Sequence, residues 1–443
     1  MNPTTPWHAG ASVPVGKVFE TLPLTAEHLK ACLTLFAVFV IEAWEMMVIV
    51  YTSPLIARDM GLAAQAVGHL IGAIFVGMGL GALLWGAVCD RIGRKGTIVW
   101  SLGLYGAASM LSVFSPDYAT LYGLRLLSGL AGAGMLIVTF PYFEELLPVR
   151  VRGTLTVYLA AGWPLGMLCA LGAALWLGPL GWRWVLAGSS LAALWLIAVW
   201  RLVPESPYWL AGAGRQQEAR DVIARLSRGA QRIPASVELT VDRPHGGAWR
   251  KLFAGRFLRL TLLQIAINFT FAWGYWGLQT WLPALLQQRG LSLPESYGFI
   301  AISALCMIPG YVSASFLTGR LGRKRTVIAY IGAAALAGYA FALADSLAVV
   351  YAANFALAFF SLGAWGVWDT WIAEIYPTSL RTPGYGWAIF SQRLANIIAP
   401  SFIGALLAQG SSFTATTTLI NAFMVASVVL ALFLPETEGR ELA

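Results

Sequence analysis

Twelve apolar runs, each long enough to cross a bilayer, recur along this chain and dictate most of what it can fold into. A helix rises 1.5 Å per residue, so about 20 apolar residues cover the ~30 Å hydrocarbon layer. Between charged or turn-rich breaks the runs fall at 31–57, 66–88, 97–115, 118–142, 153–178 and 182–201, then 259–286, 295–318, 326–343, 346–372, 383–408 and 412–434. Backbone in hydrocarbon must satisfy its own hydrogen bonds, so the runs are expected as helices. Only 11% of the 443 residues are charged, against about 25% in an average soluble domain. The expectation is an all-α polytopic membrane protein.

Charge sets the expected orientation. With the N-terminus inside, only Arg58, Arg183 and Arg289 of the 29 Lys and Arg fall in outside loops, and Arg125 and Arg393 fall within spans. The remainder lie inside, as the positive-inside rule requires. The net charge of +8 is therefore a topology signal, and no nucleic-acid partner is expected. The chain divides into a cytoplasmic leader (1–30), a six-span bundle (31–201), a cytoplasmic central segment with short helices (202–258), a second six-span bundle (259–434) and a cytoplasmic tail (435–443). The leader holds Lys17, Glu20, Glu27 and Lys30 before any apolar run, so no signal peptide is expected. In the central segment RQQEARDVIARLSR (215–228) reads as an interfacial or cytoplasmic helix. The four cysteines and four histidines stand apart, with no CxxC or HExxH. Metal, cofactor and redox chemistry are not expected.

The two halves repeat each other. DRIGRK (90–95) answers GRLGRK (319–324), and Glu145, Pro148 and Arg152 answer Glu374, Pro377 and Arg381, all at an offset of 229. PESP (204–207) answers PETE (435–438) at 231. Such a register implies duplicated six-helix bundles, with substrate between them near the midplane.

At these residues the chain resembles the major facilitator superfamily over nearly its whole length. DRIGRK resembles the loop signature between the second and third helices; its second copy departs in having Gly319 where the first has Asp90. RLLSGLAGAG (125–134) is similar to the fourth-helix signature, and PESP and PETEGREL (435–442) to the sugar-porter branch. IEAWEMM (41–47), YWGLQTWLPALL (275–286) and EIYPTSLRTPGYGWAIFSQRLANIIAP (374–400) resemble the bacterial aromatic-acid and nicotinate proton symporters and synaptic-vesicle-protein-like members. The resemblance implies two pseudo-symmetric six-helix bundles in a bacterial inner membrane, both termini cytoplasmic, acting as a monomer.

Ionisable side chains near the bilayer centre cost about 3 kcal/mol or more, so they mark function. Glu42, Glu45, Arg125, Asp369 and Arg393 are the five. Helical rise places Glu45 about 18 Å into the first span and Arg125 about 12 Å below the outer end of the fourth, at matching depth. A Glu45–Arg125 pair is therefore expected, matching the acid–arginine pairing of related proton symporters. Glu42, one turn away, shares that face and could assist the relay or meet substrate. Arg393 lies mid-depth in the eleventh span. An arginine fork suits a carboxylate, and the resemblance implies that role for it. Asp369 departs from the family pattern; it is a second proton site or neutralises Arg393.

By family geometry Trp44, Trp163, Tyr275, Trp276, Trp365 and Trp368 line the cavity, suiting a flat ring or an organic cation. Gln264, Asn268 and Gln279 would orient substrate. The loop motifs imply gates. Asp90, Arg91 and Arg94 would lock the halves together on the inside when the outside is open, with Arg320 and Arg323 in the second copy. Glu145 would pair with Arg152, and Glu374 with Arg381. The leading expectation is proton symport of a small organic anion, an aromatic carboxylate such as nicotinate or a benzoate. Organic-cation or drug antiport and sugar symport are the alternatives. No nucleophile–base constellation or phosphate loop points to an enzyme.

Overall fold

The computed structural model describes residues 12–241, 249–376 and 378–437, apart from the side chains at 154, 157, 249, 256, 370, 373, 378, 379 and 381–383. Helices occupy each expected span. They are α1 (Ala26–Met60), α2 and α3 (64–92 and 94–112, parts of Ala64–Ser112), α4 (Tyr118–Glu145), α5 (Val149–Leu180) and α6 (Trp182–Leu202). After the central segment come α7 (Gly255–Gln288), α8 (Leu293–Leu321), α9 (Arg323–Ala342), α10 (Leu347–Ile375), α11 (Thr378–Ala408) and α12 (Phe413–Ala431). Among the described residues, ten helices are long and apolar enough to cross a membrane when Ala64–Ser112 is taken as one.

Local chemistry sets the breaks. The side chains of Thr25, Asp117, Ser292, Ser346 and Ser412 cap the first turns of α1, α4, α8, α10 and α12, satisfying amides that have no intrahelical partner. Gly93, at φ 85°, turns the chain from α2 into α3, and Gly322, at φ 90°, turns it from α8 into α9. Only glycine enters this region freely. Within bundles, small residues let backbones touch, as is usual between membrane helices. A Cβ on Gly129 of α4 would overlap the Ile74 carbonyl of α2, and one on Gly310 of α8 the Phe359 carbonyl of α10.

The bundles meet along α2 with α11 and α5 with α8. The closest approach lies at the end remote from the Lys- and Arg-rich loops. There a Cβ on Gly68 would stand 2.5 Å from the Pro400 carbonyl oxygen, and one on Gly404 2.7 Å from that of Ala64. Tyr297 also donates its hydroxyl to the Tyr51 carbonyl across the interface.

At the basic end the leader and the central segment, expected as separate pieces, fold into one layer. Strand β1 (Ser12–Pro14) pairs in parallel with β2 (Glu238–Thr240). The adjoining helix Val15–Thr21 buries Val15, Val18 and Phe19 with Leu210, Ile223, Leu226 and Leu239 of the central segment. The expected amphipathic helix appears as Gln216–Leu226, its apolar Ala219, Ile223 and Leu226 buried in this layer.

Candidate functional site

The first bundle holds its charges out of solvent. Glu45 and Arg125 are fully buried and Glu42 is nearly so. The glycines that follow Arg125 explain how a carboxylate fits: Gly132 lies so close to Glu45 that a Cβ would overlap Oε2. Glu45 and Arg125 are linked through serine hydroxyls. Glu45 Oε1 accepts from Ser128 Oγ at 2.8 Å, while Arg125 Nη2 donates to Ser109 Oγ at 3.2 Å and Ser112 Oγ at 2.6 Å. Among the described residues, Glu45 Oε2 and Arg125 Nε and Nη1 have no hydrogen-bond partner. These serines were not singled out from sequence. Their signal was present, since Ser109 and Ser112 stand one helical turn apart in an apolar span and Ser128 one turn after Arg125.

In the second bundle Arg393 lies within electrostatic range of Glu42, Tyr385 and Asp369. It is half-buried, its Nε has no hydrogen-bond partner among the described residues, and Asp369 is exposed. Arg393 therefore lies within reach of acids of both bundles.

Aromatic rings connect the bundles at mid-depth. Trp276 of α7 meets Trp163 of α5 edge-on at 5.5 Å and Phe75 of α2 at 5.1 Å. Tyr275 continues the cluster to Trp365 of α10 at 5.9 Å. The indole N–H groups of Trp163 and Trp365 are buried and have no partner among the described residues. Gln279 donates to the Tyr275 hydroxyl at 3.4 Å and borders a cavity of about 20 Å³ with Ser303, Asn354 and Ser361.

Four expected contacts are used otherwise. Trp44 turns to α6 and donates to Ser189 at 2.9 Å. Asn268 Oδ1 accepts from Trp368 at 2.9 Å and Gln392 at 2.8 Å, while its amide donates to the Gln264 side chain at 3.2 Å. Gln264, Asn268 and Trp368 thus tie α7, α10 and α11 together inside one bundle.

The basic-end motifs form the same clamp twice. Arg94 forks onto Glu145, and Ser206 donates to Glu145 as well. Glu205 accepts the Arg94 and Lys95 amides at the start of α3. Burial pushes the Glu205 carboxyl above its ordinary range, against the pull of those amides. In the second bundle Arg323 forks onto Glu374, Thr437 donates to Glu374, and Glu436 accepts the Arg323 and Lys324 amides. This corrects one expectation. Glu145 pairs with Arg94 in place of Arg152, which bonds Tyr208 and the Leu147 carbonyl. In this conformation Arg94 bonds within its own bundle. Asp90 and Arg91 are exposed, and Arg320 lies over the Phe316 ring at 4.3 Å. The Arg381 side chain and Pro377 lie outside the described residues.

The Major Facilitator Superfamily family model matches residues 34–344. The chain belongs to the Major Facilitator Superfamily. Within it, this member is 31% identical to the niacin transporter NiaP of Acinetobacter baylyi, over 96% of this chain and 97% of that one. It is 29% identical to the gallate transporter of Pseudomonas putida, over 95% of each. The fold is that of the xylose transporter XylE from E. coli in a partially occluded inward open conformation: TM-score 0.77, 19% identity, covering 94% of this chain and all of that one. The chain is a multi-pass membrane transporter and not an enzyme.

Proposed function

We propose that this transporter carries a small aromatic carboxylate together with protons by alternating access, as a monomer in a bacterial inner membrane with both termini cytoplasmic. The observation that carries this reading is the donor surplus at the bundle interface. Arg393 Nε and the indole N–H groups of Trp163 and Trp365 are donors with no hydrogen-bond partner among the described residues. A carboxylate supplies acceptors for them, and its ring suits the Trp163–Trp276–Tyr275 surface. The niacin and gallate named for two relatives are both aromatic acids, which supports the same class. Glu45 takes the coupled proton opposite Arg125, with Glu42 assisting. Asp369 is a second proton site or the neutralising partner of Arg393. The paired Arg94–Glu145 and Arg323–Glu374 clamps hold each bundle rigid while the two rock.

The deciding experiment compares nicotinate with a matched aromatic amine on Arg393→Ala. Truncating one side of a buried charge pair typically costs about 2–5 kcal/mol, or roughly 30- to several-thousand-fold in affinity. Acid binding should fall by that much and Arg393→Lys should restore only part of it. Acid binding within about twofold of wild type removes Arg393 from the site. Tighter amine binding would favour the cation reading.

A further inference from the structure

The serines around Arg125 carry an inference that rests on the proton-coupling reading above. Ser112 Oγ donates its own proton to the Ala108 carbonyl at 2.8 Å, so its lone pairs are free to accept from Arg125. Ser128 uses its proton on Glu45, so across the 3.5 Å Ser109–Ser128 contact Ser109 is the donor. The hydrogens therefore run one way: Arg125 Nη2 to Ser109, Ser109 to Ser128, Ser128 to Glu45. Chains of this kind polarise along their length and transmit charge in a low-dielectric interior. All five side chains lie in helices α1, α3 and α4 of one bundle and are fully or almost fully buried.

We propose that Ser112, Ser109 and Ser128 are positioning residues for the proton step, acting in opposite senses. Ser112 parks the guanidinium away from Glu45 in this conformation. Ser109 and Ser128 carry its charge to the carboxylate through the hydroxyl chain. The titratable and charged groups facing Glu45 are Glu42 on its own helix, Arg125 on α4 and Tyr105 on α3. The serines decide how strongly the arginine among them is felt.

The opposite senses give the test. Removing the Ser112 hydroxyl frees Arg125 to move onto Glu45 and favours the ionised carboxylate. Removing the Ser128 hydroxyl deletes a donor to that carboxylate and favours the protonated acid. Infrared titration of purified full-length protein reads the Glu45 carboxyl band, assigned by its loss in Glu45→Gln. In Ser112→Ala the midpoint should move toward acid by about one pH unit, a tenfold change in proton affinity. In Ser128→Ala it should move toward alkali. Ser112→Thr, which keeps a hydroxyl, should return it to wild type. Ser115→Ala, three residues past the end of α3 and outside the hydroxyl chain, should leave it in place. Midpoints that stay fixed, or that move the same way in both alanine variants, overturn the proposal. Opposite shifts in a protein whose uptake ignores the pH gradient would uphold the positioning of Glu45 and sink the symport reading.

Discussion

Glu45 and Arg125 sit at one depth on facing helices, as helical rise alone requires, yet they meet through serine hydroxyls. If Glu45 is the proton carrier, Glu45→Gln fixes it in a neutral form. Accumulation driven by a pH gradient should be lost, while exchange at equal pH continues near the wild-type rate. Vesicle uptake and counterflow measure the two separately, and full accumulation by the variant moves coupling to Glu42 or Asp369. The depth of these charges was legible in the sequence because helix geometry is fixed. Their bonds were not, because partner choice depends on how three helices rotate against one another. Trp44 shows the same limit: its place on α1 was clear, but its indole faces α6 and Ser189.

The elements are held by features that span length does not reveal. Gly93 combines a positive φ with a position where a Cβ would overlap the Glu205 carboxylate. Gly93→Ala should therefore destabilise the purified protein by about 1–3 kcal/mol from backbone conformation alone, with the overlap adding to it. Gly86→Ala is the control, since nothing lies within 4 Å of a Cβ there; a similar loss of thermal stability in both variants would deny Gly93 its role. Phe19→Ala tests the basic-end layer. Removing a buried phenylalanine costs about 3–5 kcal/mol, enough to release β1 from β2, and the Leu239 region should then exchange its amide hydrogens faster. The twelve spans were readable because each is a long uniform run. The β1–β2 pair was not: two three-residue strands more than 220 positions apart carry no periodic signal.

For the molecule as a whole, the constant repeat offset announced duplication, and the duplicated clamps reproduce it bond for bond at Arg94–Glu145 and Arg323–Glu374. How the bundles lean on each other was not legible, because the interface depends on single glycines such as Gly68 and Gly404 among 46. Gly68→Val should pry α2 from Pro400 and open the end remote from the basic loops. A cysteine placed at Ser401 should then react severalfold faster with a water-soluble maleimide than in the Gly68 parent; an unchanged rate would mean that the contact does not hold that end shut. The strand pair at the opposite end has a consequence for synthesis. Its last residue is Thr240, so the segment that closes the first bundle exists before α7 has been made. Because domains generally fold as units, N-terminal first as the chain emerges, the first bundle can tie its own beginning to its own end and wait, finished, for the second.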